Sequence, residues 1–261
     1  MRYFKTYTSN MGYLLGRMVG SGVIDSRDDQ YRLLIYTDDA RLLQFINDEL
    51  DTIHTTIDHV KGYFSILITD RDILMDIMSY GILSVREDPV LPTIPRDIHI
   101  NFIHGILDSI GIVWVDGHSN NSTLYTSFMA NSKPFLQSIG GMLHDLIGSI
   151  PKIHSSMLYH PDSTSAYELV YATKESLGTY HMLYDNTHIS SYYDTRKQAI
   201  YEKWLLNDMK NMYWGMRKCK LCGNMYVAFH DQSYRCWECK RSNGKSNNKD
   251  TNKDTNKPVK I

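Results

Sequence analysis

Two nine-residue stretches, 89 residues apart, carry the same pattern of small side chains. Leu14-Leu15-Gly16-Arg17-Met18-Val19-Gly20-Ser21-Gly22 follows Tyr13, and Ile103-His104-Gly105-Ile106-Leu107-Asp108-Ser109-Ile110-Gly111 follows Phe102. In each, the third, seventh and ninth places are small. Residues four apart stack on one face of a helix. Two such faces can approach until their backbones nearly touch, because no bulky side chain stands between them. The pattern predicts a duplicated domain whose halves meet through two helices, with Gly16, Gly20, Gly105 and Ser109 in the seam.

The segments around the two stretches repeat as well. A helix from Gly12 to Gly20 leads into strands at Gly22–Arg27 and Tyr31–Thr37, around an Asp28-Asp29 turn. Asp38 is expected to cap the next helix, where Leu42, Leu43, Phe45, Ile46 and Leu50 recur at helical spacing. A second hairpin, Ile53–Val60 and Tyr63–Thr69 around Lys61-Gly62, precedes a helix opened by Asp70. Pro92 and Pro95 exclude a helix between the halves. Asp97 then caps the second seam helix, about 97–110. Strands Ile112–Asp116 and Thr123–Phe128 follow, around the polar turn 118–121. Next come a helix capped by Asn131 or Ser132, strands Lys152–Tyr159 and Ala166–Ala172, a helix capped by Thr173, and a last helix of about Thr195–Met209.

The seam pattern resembles the LAGLIDADG family of DNA homing endonucleases and their non-cleaving relatives, over about residues 11–208. The run Tyr184-Asp185-Asn186-Thr187-His188-Ile189, with Thr195-Arg196-Lys197 and Tyr201-Glu202-Lys203-Trp204-Leu205, resembles the C-terminal segment of phage and bacterial members. The resemblance implies an α+β fold of two αββαββα repeats forming a saddle. It also implies that the eighth motif residue of each half should be an acid that holds the cations for DNA cleavage. Here those places are Ser21 and Ile110. Neither carries the negative charge a hard divalent cation needs. Asp108 is the sixth residue of its motif, and Asp25 and Asp116 lie three and five residues past their motif glycines; together they form a conceivable displaced metal set, against a plainer reading as hydrogen-bonding or solvated carboxylates.

All four cysteines stand as two Cys-x-x-Cys knuckles, Cys219/Cys222 and Cys236/Cys239, thirteen residues apart. Two knuckles suit a tetrahedral thiolate shell around a structural Zn²⁺, as in a zinc ribbon, with a pair of disulfides as the weaker alternative. Short strands are expected at Met225–Phe229 and Ser233–Arg235. A module of about thirty residues has too small a core to fold without such a staple. Lys218, Lys220, Arg235, Lys240 and Arg241 make it basic. Its aromatics are either its small core or stacking faces for nucleic acid. The eleven histidines show no metal-ligand spacing.

Charge divides along the chain. Residues 211–261 hold eleven Lys/Arg and four Asp/Glu, a net of +7, while the other 210 residues hold 17 and 25, a net of −8. The expected organisation is a first repeat at 1–90, a linker at 91–96, a second repeat at 97–210, a four-cysteine zinc ribbon at 211–241 and a Lys/Asn-rich disordered tail at 242–261. There is no run of 18 apolar residues, so no membrane span or membrane partner is expected. The start lacks the apolar core of a secretory signal, which points to a cytoplasmic, nucleoid-associated protein or one of the phage-infected cell.

The expected function is that of a catalytically inactive LAGLIDADG-like nucleic-acid-binding protein, a phage or bacterial regulator. It would be monomeric with internal pseudo-twofold symmetry, and double-stranded DNA or RNA would be its partner. The alternatives are a protein-interaction module docking on a polymerase or nuclease or mimicking DNA, an RNA-splicing cofactor, and an endonuclease with displaced metal ligands. A basic concave sheet face would favour nucleic acid; an acidic one would favour protein.

Overall fold

The computed structural model describes residues 3–27, 30–50, 56–60, 63–80, 91–117, 122–148, 152–156, 166–185, 190–208, 216–223, 225–227, 235 and 239. The chain divides into two compact units, Met1–Trp204 and Leu205–Ile261. Among the described residues no helix is long and apolar enough to cross a membrane.

Within the first unit, one order of elements occurs twice. Helix α1 (Ser9–Ser21) leads to β1 (Gly22–Arg27), β2 (Gln30–Thr37), α2 (Ala40–Leu50), β3 (Thr56–Val60), β4 (Tyr63–Ile68) and α3 (Arg71–Ser79). Helix α4 (His99–Ile110) leads to β5 (Gly111–Asp116), β6 (Thr123–Ala130), α5 (Lys133–Ile147), β7 (Lys152–Ser156), β8 (Ala166–Tyr171) and α6 (Thr173–Tyr184), and α7 (Thr195–Asp208) follows. The sheets have matching antiparallel orders, β1-β2-β4-β3 and β5-β6-β8-β7. This is the expected α+β architecture of two αββαββα repeats.

The seam helices are buried over nearly their whole length, Met11–Val19 in α1 and Asn101–Asp108 in α4. Their contact admits no side chain at two points. A Cβ on Gly16 would stand 2.1 Å from the Phe102 carbonyl oxygen, and one on Gly105 would stand 2.1 Å from the Tyr13 carbonyl oxygen. The two clashes are reciprocal, each glycine facing the residue before the other helix's motif. One turn on, a Cβ on Gly20 would meet Ser109 Oγ at 1.8 Å. The serine fills space that a second glycine would leave, and its hydroxyl donates to the Ile106 carbonyl at 2.9 Å. Gly12 joins the same seam one turn earlier, against Asn101 and Ile98.

Below the seam each sheet turns alternate residues inward. Ile24, Leu33, Ile35, Ile66 and Ile68 do so in the first half, and Val113, Leu124, Phe128, Leu169 and Tyr171 in the second. This two-residue period is what a half-buried antiparallel sheet requires.

Several helix starts differ from the sequence-based expectation. Asp39, not Asp38, caps α2, its Oδ1 accepting from Arg41 N at 2.9 Å. Asp38 instead pairs with Arg196. Asp97 lies in a short 3-10 turn, Arg96–Ile98, ahead of α4, and Ile98 at the cap makes no side-chain bond. Thr173 is the first residue of α6, not its cap, and its hydroxyl accepts from Leu124 N at 3.2 Å. Asp70 and Ser132 cap as expected. The turns at 28–29, 61–62 and 118–121 lie outside the described residues.

In the second unit, β9 (Met216–Lys218) and β10 (Met225–Val227) form an antiparallel pair around the first Cys-x-x-Cys knuckle. The strand expected at Met225–Phe229 is present over Met225–Val227 and pairs with one preceding Cys219, while Ser233-Tyr234 of the other expected strand lie outside the described residues. The expected 242–261 tail also lies outside them.

Candidate nucleic-acid interface and metal centre

At the foot of the seam the residues offer little to a hard cation. Ser21 turns its hydroxyl back onto its own helix, donating to the Arg17 carbonyl at 3.1 Å. Ile110 has no donor atom at all. Asp108 is buried, and its Oδ2 accepts from the Tyr13 hydroxyl at 2.8 Å and from Asp194 N at 2.8 Å. Its other oxygen, Oδ1, is buried without a hydrogen-bond partner among the described residues.

Two protein cations already occupy this end of α4. The Arg17 guanidinium donates to the Asp108 carbonyl, and the Lys197 ammonium donates to the Leu107 carbonyl. Both complement the negative end of the helix. Some of Lys197 stays exposed, but burial around its ammonium pushes its pKa down to about 8, against the opposing pull of Asp108 and Asp194. A divalent ion here would meet positive charge and a carboxylate already engaged, so the donor set does not fit one. Asp116 stands exposed at the far end of β5, about 17 Å along the strand from Gly111. Asp25 lies on β1 opposite Arg32, and its side chain is outside the described ones. The structure therefore does not gather Asp25, Asp108 and Asp116 into one site.

The segment 190–197 ties both halves to this point. Asn10 accepts from Ser191 N at 2.8 Å and donates to Glu49 at 2.6 Å, and Tyr192 donates to Asp39 at 3.0 Å. Arg196 bridges Asp194, at 2.8 Å, to Asp38. The guanidinium holds Asp194 below the usual carboxylate range despite burial, and Asp194 and Asp38 in turn raise the pKa of Arg196. His104 is fully buried beside this strap, stacked on Tyr193 and edge-on to Tyr13 and Tyr184. Neither ring nitrogen has a partner among the described residues, and burial lowers its pKa.

None of this cluster stands out in the sequence except Asp108. A lone Arg, Lys or His on a helix carries no pattern that marks it as buried. The usable signal is the Thr195-Arg196-Lys197 run, which matches the family's C-terminal segment without disclosing what it touches.

The outward sheet faces can be read from register and burial. In the second half they carry Ile112, Trp114 and Asp116 on β5, Tyr125 and Met129 on β6, Glu168 and Val170 on β8, and Lys152 and His154 on β7. Trp114 stacks on its cross-strand partner Tyr125 with ring centroids 5.0 Å apart. In the first half the described outward residues include Val23, Arg32, Leu34, Tyr36, Ser65 and Leu67. The described charges on the two faces are thus Arg32 and Lys152 against Asp116 and Glu168. Among these described side chains the charges balance, and most of the others named are apolar or aromatic.

In the second unit the sulfurs of Cys219, Cys222 and Cys239 all lie within 4.8 Å of one another. Soft thiolates converging this closely could hold a metal ion. Cys236, the expected fourth ligand, lies outside the described residues. Gly223 has φ +77°, the left-handed turn that closes a knuckle, and its N–H donates to the Cys219 carbonyl at 2.9 Å. Lys218, Lys220 and Arg235 are exposed. Lys240 and Arg241 lie outside the described residues.

No family profile matches the sequence, and no curated protein does. Solved structures do. The structure of I-DmoI in complex with DNA and calcium matches with a TM-score of 0.54 at 17% identity, covering 74% of this chain and 97% of that one. A structure of mesophilic variants from the homing endonuclease I-DmoI matches at 0.52 and 16%, over 74% and 97%. The LAGLIDADG homing endonuclease I-GzeII in complex with its DNA target matches at 0.52 and 11%, over 79% and 94%. What these structures share with this chain is the fold. In particular, this chain has the LAGLIDADG homing endonuclease fold.

Proposed function

We propose that this chain binds nucleic acid on a LAGLIDADG scaffold without cutting it, as a DNA-binding regulator of a phage or bacterium. The two repeats would act as an internal pseudo-dimer in a monomeric, cytoplasmic protein. The observation that carries the reading is the contrast within the seam. The helices keep their backbone-close contact at Gly16 and Gly105, while the eighth places hold Ser21, bonded back to its own helix, and Ile110. Cleavage by two bound cations needs carboxylates that bridge them, and Arg17 and Lys197 already neutralise the adjoining carbonyls. Like-folded I-DmoI and I-GzeII have been captured on DNA, which supports duplex DNA as the ligand class, with RNA next. Cys219, Cys222 and Cys239, completed by Cys236, would hold a structural Zn²⁺.

The test has two arms. Fluorescence anisotropy on mixed duplex pools at low salt should show saturable binding that weakens as salt rises. Plasmid incubated with Mg²⁺ or Mn²⁺ should stay supercoiled. Absence of salt-dependent binding overturns the reading, and nicked or linear plasmid overturns its non-cleaving part.

A second reading, a protein-docking module, is favoured by one observation. The described outward sheet charges balance, and apolar residues such as Ile112, 46% exposed, lie on that face. A partner recovered from host lysate after nuclease treatment, by a chain that fails the anisotropy test, would select it.

A further inference from the structure

We infer that the segment 190–197 is a latch between the two halves of the first unit. It is anchored in the second half and releasable from the first, and its opening lets the two sheets shift relative to each other about the seam. Such a latch works whichever ligand the chain takes, so it does not rest on the nucleic-acid reading.

Among the described helices and strands, α1 and α4 are the pair through which the halves pack extensively; the other extensive packings lie within one half or the other. The closest points of that pair, at Gly16, Gly20 and Gly105, fall along one line. The Tyr13 and Arg17 bonds to α4 lie within the same seam. Small residues along a seam push no long side chain into a facing groove. A small rotation of one half about that line is therefore opposed best by ties that lie away from it. The segment 190–197 supplies such ties, because Tyr192 and Arg196 reach past the seam to the start of α2.

The two ends of the segment are held by different means. Towards the second half the contacts are buried. The Asp194 N–H donates to Asp108 at 2.8 Å, the Lys197 ammonium donates to the Leu107 carbonyl, and Tyr193 stacks on His104. Helix α7, which continues the segment, is fixed to β6 and its approach by a hydrogen bond between Tyr201 and Thr126 at 2.6 Å and by one from the Trp204 indole to Ser122 at 2.9 Å. Towards the first half the contacts are more open. Arg196 donates to Asp38 at 2.9 Å, and the two side chains are 58% and 47% exposed. The exposed Ser191 N–H donates to Asn10 at 2.8 Å. Half-buried Tyr192, stacked on Phe45 and bonded to Asp39, adds the apolar contact at this end. Exposed ion pairs contribute little and weaken with salt, whereas buried hydrogen bonds are costly to leave unmade. The segment should therefore detach at Asp38 and Asn10 first, in a local opening that needs far less than global unfolding.

Hydrogen exchange by NMR on the full chain separates the two ends, because each has its own reporter amide: Ser191, bonded to Asn10 of the first half, and Asp194, bonded to Asp108 of the second. Arg196→Gln removes the grip on Asp38 from one side and Asp38→Asn from the other, both at exposed positions, and urea unfolding checks that the variants are folded. In each variant the Ser191 amide should exchange about tenfold faster or more, while Asp194 and the amides of α1 and α4 stay within about threefold of the unsubstituted chain. The double variant should match Arg196→Gln alone within about twofold, since both changes delete one shared contact. Single-molecule energy transfer between fluorophores on noncanonical residues at exposed Tyr36 and Ile112, one on each sheet, should show a second distance population in the variants. Faster exchange at Asp194 and in the seam as well would make the opening global and overturn the latch. A Ser191 amide unchanged in both variants would overturn it too. Faster exchange at Ser191 with a single, unchanged inter-sheet distance would reduce the segment to a fraying strap and overturn the shift of the sheets.

Discussion

Tyr13 on α1 donates its hydroxyl to Oδ2 of Asp108 on α4 at 2.8 Å, across the seam and out of reach of water. Burial, together with the Asp108 charge, keeps the phenol protonated far above its ordinary range. The bond links the two seam helices, and with them the two halves. Tyr13→Phe would leave that oxygen with the Asp194 N–H alone. A buried carboxylate that loses one of two donors should cost about 1–3 kcal/mol. Urea unfolding would read this as a lower midpoint with an unchanged slope, and a midpoint equal to that of the parent would show the bond to be dispensable.

The seam glycines should be the least replaceable residues of the first unit. At Gly16 and Gly105 an added methyl meets backbone oxygen at 2.1 Å, and backbone cannot swing aside as a side-chain tip can. Gly16→Ala or Gly105→Ala must therefore push the helices apart, at a cost of about 3 kcal/mol or more. Gly141→Ala is the matched control. It lies in α5 with open space around its Cβ, and should be neutral or stabilising by up to about 1 kcal/mol. Thermal melts of the three variants give the comparison directly.

Stability should climb with pH across two separate windows. Burial lowers the pKa of His104, so the unfolded chain takes up a proton more readily than the folded one. Stability is then lost as pH falls through about 6.5. Lys197, at about 8 when folded, binds its proton less well than an unfolded lysine near about 10.4. The folded state therefore gains as pH rises from about 8 to 10. Above about 10 the trend reverses, because burial holds Tyr13, Tyr184 and Tyr201 protonated in the fold while unfolded phenols ionise. His104→Leu, which copies Leu15 at the equivalent place of α1, should flatten the slope between about pH 5 and 7. Lys197→Met should flatten the one between about 8 and 10. Urea midpoints across pH would show both, and unchanged slopes would count against the assignments.

The architecture was legible in the sequence because its signals are local and periodic. Small residues four apart marked the seam, and polar or glycine turns such as Asp28-Asp29 and Lys61-Gly62 marked the hairpins. What stayed hidden depends on distant partners. Asp38 and Asp39 are equally good caps by residue type. Only the far-off Arg196, reaching Asp38, and Tyr192, reaching Asp39, settle how the two carboxylates are shared. Arg17, His104 and Lys197 read as ordinary polar residues on helices because the groups they meet, the Asp108 carbonyl, Tyr193 and the Leu107 carbonyl, lie far along the chain. The charge balance of the sheet faces needed strand register, since a shift of one residue exchanges the two faces.

The metal centre gives the last prediction. For Zn–S bonds of about 2.3 Å, a tetrahedral shell sets its sulfurs about 3.8 Å apart. Cys219, Cys222 and Cys239 lie within 4.8 Å of each other, so these three need only a small closure to seat an ion. The purified chain should contain one zinc per molecule by elemental analysis, released by a thiol-directed mercurial. Because binding energy at such a site is folding energy, a strong chelator should expose the Lys and Arg residues of the second unit to trypsin. Met1–Trp204 forms a separate compact unit and should stay resistant. Cys219→Ser and Cys239→Ser should each reproduce the chelated pattern without chelator. A chain that lacks zinc and resists trypsin equally in both units would point instead to disulfide closure of the knuckles.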